Sequence, residues 1–114
     1  MILSKTRTEV IREAAERLGI VGTGQVLEAE YADRLSINLD PLLMQLTIDE
    51  ICPAVDDQAI PAEWFDALSG LLANQSASLG GRQYDPQIKA FYESMLRRLN
   101  SSGPSYNVQE VEYF

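Results

Sequence analysis

Histidine is missing from this chain altogether, and cysteine occurs once, as Cys52. The first absence removes the commonest metal ligand and neutral-pH base, and the second excludes an intrachain disulfide. With no histidine to activate it, Cys52 reads as a small buried side chain and not as a nucleophile. Long apolar runs are missing too: no stretch reaches about 18 residues, and Met1 to Lys5 is too short for the apolar core of a signal peptide. No membrane span is expected, and the chain reads as one made and used inside a cell. Cations are scarce, since 9 Lys and Arg against 17 Asp and Glu leave a net charge of −8. Such a surface neither wraps nucleic acid tightly nor settles on an anionic membrane.

What is present is enough apolar material for one core. At 114 residues and 46% hydrophobic content the chain has the size and composition of a single globular domain with room for a tail. Thr6 and Glu9 form a T-x-x-E capping box that opens a first helix. Val10, Ile11, Ala14, Ala15 and Leu18 give that helix one apolar face, and Gly19 supplies its left-handed stop, with Ile20 folding back on Ala14 and Ala15.

Gly22-Thr23-Gly24 breaks the chain before a leucine stripe of Leu27, Tyr31, Leu35, Leu39, Leu42 and Leu46, which predicts a long second helix. Pro41 falls inside it. Because the stripe keeps its phase through the proline, one kinked helix is expected; the alternative is that Asp40 caps a separate helix with Pro41 at its first position. Cys52 to Ala59 reads as a loop. Ile60-Pro61 is expected to open a third helix with Trp64, Leu68, Leu71, Leu72 and Leu79 inward, Gly70 tolerated inside it, and Gly80-Gly81 as its end. Asp85-Pro86 caps a fourth, with Ile88, Phe91, Tyr92, Met95, Leu96 and Leu99 along one side and Arg97 and Arg98 in its last turn. The fold class expected is all-α, a four-helix bundle-like domain over residues 1–100.

Residues 101–114 differ in character. Ser101 to Ser105 has linker composition, and Tyr106 to Phe114 is β-prone with three aromatics, which suits an extended segment held by another molecule. Little else invites chemistry. Asp49-Glu50 and Asp56-Asp57 are the available carboxylate pairs for acid–base work or Mg²⁺, but no apolar pocket is implied around them and they read as solvated charges. Gly22-Thr23-Gly24 and Gly80-Gly81-Arg82 lack the lysine and hydroxyl residue of a phosphate loop. Trp64 and Phe65 read as core. No catalytic residue, cofactor site or metal site is assigned, and the chain is not read as an enzyme.

The order of these features resembles the head-to-tail adaptor, or connector, proteins of tailed bacteriophages. The carriers are a short first helix ending Leu18-Gly19-Ile20, a leucine-striped second helix, an Ile-Pro-opened third helix ending in a glycine pair, a fourth helix and a β-like tail. The stretch Thr6 to Ile20 is especially similar to the packaged-DNA stabilisation adaptor of short-tailed phages. Pro41 and the short Cys52 to Ile60 loop depart from that pattern. The resemblance implies a virion neck protein, assembled in the host cytoplasm as a homo-oligomeric ring, usually of twelve copies, below the portal protein. It implies a lumen through which double-stranded DNA passes without sequence-specific binding, a platform for the next tail or nozzle protein, and a C-terminal segment docked on the portal. The docking contacts would then be Tyr106, Val108, Val111, Tyr113 and Phe114. A different class, a small acidic protein that mimics DNA or neutralises a basic partner, would instead need a carboxylate-lined face, whereas Arg12, Arg17 and Arg34 interrupt the acidic residues here.

Overall fold

Thr6 is the point at which an extended segment turns into helix. In the computed structural model, which describes residues 4–56 and 58–101, its hydroxyl accepts the Glu9 N–H at 3.3 Å while its own N–H donates to Glu9 Oε1 at 2.8 Å. This reciprocal cap starts helix α1, Arg7–Leu18, whose buried residues are Val10, Ile11, Ala14, Ala15 and Leu18. Gly19 closes it at φ 78°, and the Ile20 N–H reaches back to the Ala15 carbonyl at 3.2 Å. Only a residue without a Cβ takes that left-handed geometry at little cost.

Helix α2, Ala29–Ile48, runs through Pro41 as one element. The proline is exposed, on the side away from the core, where solvent can reach the carbonyl that its missing N–H cannot serve. Leu35, Leu39, Leu42 and Leu46 are buried as the stripe predicts. Two members of that stripe are not: Leu27 precedes the helix and, like Tyr31, is half-buried. The helix ends at Asp49, after which Glu50 adopts φ 60° and the Ile51 N–H closes on the Leu46 carbonyl at 2.9 Å.

The third helix begins later than the sequence suggests. Ile60–Pro61 is a short strand, β2, pairing antiparallel with β1, Ser4–Lys5, with Ser4 opposite Pro61 and Lys5 opposite Ile60. Pro61 is tolerable in a two-stranded ribbon because both strands are edges and one unused N–H is no loss. A 3-10 turn over Ala62–Trp64 then leads into α3, Phe65–Gln75. A second 3-10 turn, Ala77–Gly80, takes up the residues expected to finish that helix, so Gly80-Gly81 ends the turn and not α3. Helix α4 spans Pro86–Ser101, with the Gln87 N–H donating to Asp85 Oδ1 at 2.9 Å, as the Asp-Pro pair predicts.

Helix makes up 68% of the described residues and the only sheet among them has two strands, so the chain is predominantly helical. Helix α3 packs against both α1 and α4, and α1 also packs on α2. Polar ties set these crossings. Arg7 of α1 donates to the Ser36 hydroxyl and carbonyl, both at 2.8 Å, and to Asp40 at 2.6 Å on α2. Arg17 joins Glu13 on its own helix to Asp66 in the first turn of α3. The residues from Tyr106 to Phe114 lie outside the described part of the chain.

Candidate interaction surface

Helix α2 carries apolar residues on two opposite sides. Leu35, Leu39, Leu42 and Leu46 face the core, whereas Ile37, Pro41, Met44 and Ile48 recur at spacings of four, three and four on the other side. Ile37, Met44 and Ile48 are 67%, 64% and 65% exposed, so none of the described residues covers this stripe. It merges with a groove of about 440 Å³ bounded by Leu43, Met44, Cys52, Val55 and Trp64, with Asp40 at its rim. Several large apolar side chains in line on a chain of net charge −8 form a patch of the kind that marks a protein contact.

Helix α4 offers a second such surface, and here the structure corrects the sequence. Of the six apolar residues expected to face inward, Leu96 alone is fully buried; Tyr92 and Met95 are half-buried, and Ile88, Phe91 and Leu99 are exposed. The cause is the way α4 meets α3. Gly70 of α3 leaves a hollow into which the Tyr92 ring fits, and this close crossing seats α4 by one edge of its apolar face. The rest of that face has no cover from the described residues.

Among the described residues no group of three or more His, Cys, Asp or Glu lies close enough to hold a metal ion. Cys52 is buried, and burial pushes its thiol up to about 11, opposed by the Asn100 amide nearby at 3.5 Å. A thiol protonated at neutral pH is a poor nucleophile. Another hollow, of about 200 Å³, is lined by Arg17, Asn74, Arg82 and Tyr92, but Arg17 already carries the Glu13 and Asp66 carboxylates. Trp64 is buried as expected; Phe65 is half-buried, with the Lys5 ammonium 4.9 Å from its ring centre.

The expected docking residues Tyr106, Val108, Val111, Tyr113 and Phe114 fall outside the described residues. The outward stripe of α2 was readable in the sequence as a second helical period, hidden behind the stronger leucine one. The α4 surface was not, because nothing in the spacing of its residues says how little of that face α3 would cover. Compared with known proteins, the chain matches no family model, no curated protein and no solved structure.

Proposed function

We propose that this chain is a structural subunit of a head-to-tail connector: a ring of identical copies below a phage portal that extends the DNA channel, seals packaged DNA and joins head to tail. In this reading residues 1–100 are a four-helix bundle-like adaptor domain, and residues 101–114 are a linker and a tail that docks on the portal through Tyr106, Val108, Val111, Tyr113 and Phe114. The observation that carries it is the pair of apolar helix faces, on α2 and α4, that the described residues leave exposed in a small acidic body. A subunit built to be held by neighbours needs such faces, and a solitary domain is burdened by them.

The acidic balance supports a lumen along which DNA slides without adhering. The alternative, an acidic mimic of DNA, is less well supported, because Glu13 and Glu16 are neutralised by Arg17 and Arg12 on the same helix. Electron microscopy of the purified protein with and without its portal tests the proposal. End-on rings, and loss of portal attachment but not of helical circular dichroism when the chain stops at Gly103, are expected. A protein that forms no ring under either condition would refute it.

A further inference from the structure

We infer that in the free subunit residues 106–114 fold back on their own chain and cover the groove beside the outward stripe of α2. The inference concerns a copy that has met no partner, so the cover itself does not depend on the connector reading. Its consequence does rest on that reading: a portal claiming the same side chains has to draw them out of the groove, which leaves this face of α2 open to a neighbouring copy.

The position of the end of α4 selects this occupant. The Asn100 amide donates to the Ile51 carbonyl at 3.2 Å and lies 3.5 Å from the Cys52 thiol. Cys52 in turn lines the groove, and α4 also packs against the 3-10 turn that carries Trp64, another lining residue. The chain therefore leaves α4, at Ser101, beside the groove. Length is sufficient: Ser102 to Ser105 reach about 13 Å and Tyr106 to Phe114 about 30 Å, against roughly 16 Å for the stripe from Ile48 to Ile37. A segment tethered this close has an effective concentration on the order of millimolar, so weak contacts hold it.

Shape agrees. In an extended chain Tyr106, Val108 and Phe114 fall on one face, and Val111 and Tyr113 on the other. A single helix face would bury one set and strand the other in water. The groove is lined from two sides, by Leu43 and Met44 of α2 and by Cys52, Val55 and Trp64 of the segment that follows, so it takes both sets. The exposed side of α4 offers one wall only. Charge plays no part in the choice, because Asp40 at the rim is already met by Arg7 and residues 102–114 contain no Lys or Arg.

The test is thiol labelling of the full chain with Cys52→Ala as background, so that only introduced thiols report. Met44→Cys samples the groove and Phe91→Cys the exposed side of α4. Met44→Cys is expected to label about tenfold more slowly than Phe91→Cys, at a rate unchanged by dilution. Adding Tyr106→Ser/Tyr113→Ser/Phe114→Ser is expected to remove that protection while helical circular dichroism stays the same. Equal, fast labelling at both positions would overturn the cover and leave the connector reading standing. Protection that fades on dilution would overturn it in favour of a second copy in the groove, and protection of Phe91→Cys in place of Met44→Cys would put the segment on α4. A protein that shows the expected protection yet never joins portal particles keeps the cover and overturns the connector reading instead.

Discussion

Gly70 and Tyr92 occupy one space between α3 and α4: a Cβ placed on Gly70 would lie 2.3 Å from Cε2 of the Tyr92 ring. That distance reverses the ordinary expectation for a glycine inside a helix. By propensity alone, Gly70→Ala would stabilise the protein by about 1 kcal/mol. Here the added methyl drives the ring off its seat, and overpacking of this kind costs about 1–3 kcal/mol. Gly70→Ala is therefore expected to lower the urea midpoint, by a net loss of about 1 kcal/mol. In a Tyr92→Leu background, where the ring is gone, the same Gly70→Ala change should cost little or turn stabilising. A Gly70→Ala protein more stable than the parent would contradict the packing.

Glu50 offers a stabilising change. It sits at φ 60°, the position at the end of α2 where a glycine usually stands, and its side chain must bear the steric cost of the left-handed region. The backbone bonds from Glu50 to Thr47 and from Ile51 to Leu46 hold it there. Glu50→Gly keeps those bonds and removes the Cβ, so a gain of about 1 kcal/mol is expected in chemical denaturation. Glu50→Ala retains the Cβ and should show little of that gain.

Cys52 makes the fold sensitive to alkali. Burial raises its thiol from 9.0 to about 11. The unfolded chain therefore releases its proton first as pH rises, and each step beyond that point favours unfolding. The contribution of this group is whole below about pH 9 and is lost as pH climbs through 11. Comparing urea midpoints of the parent and Cys52→Ala across that window isolates it from the tyrosines and lysines, and the parent should fall more steeply. Thiol labelling at pH 8 should likewise be slow in the folded protein and fast in urea.

How far the fold could be read from the residues depended on whether the signal was local. The Thr6–Glu9 cap, the Gly19 stop, the Leu35 to Leu46 stripe and the Asp85 cap are each decided within a turn or two, and each stands as the spacing implies. Ile60-Pro61 misled because Pro at a first helical turn and Pro in an edge strand look alike until Ser4 and Lys5 are known to lie alongside. The α4 face misled for a similar reason: helical period shows which residues share a side, but the size of the partner surface depends on Gly70, eighteen or more residues away. Asn74 was passed over because a polar residue between leucines carries no period at all, yet it is buried and makes two bonds to the Asp85 backbone.

That amide supplies the last expectation. Asn74 Nδ2 donates to the Asp85 carbonyl and its Oδ1 accepts the Asp85 N–H, both at 2.9 Å, so one side chain on α3 fixes the residue that caps α4. Asn74→Leu would fill the space but leave a backbone donor and acceptor without partners, at about 1–3 kcal/mol for the pair of lost bonds. Asn74→Asp keeps the acceptor and loses the donor, and its carboxylate would also face the Asp85 carbonyl, so it should rescue little. Because the damage falls on the start of α4, hydrogen exchange should rise at Gln87 to Lys89 well before it rises in α1. Uniform loss of protection across all four helices would mean that Asn74 serves the whole fold and not the seating of α4.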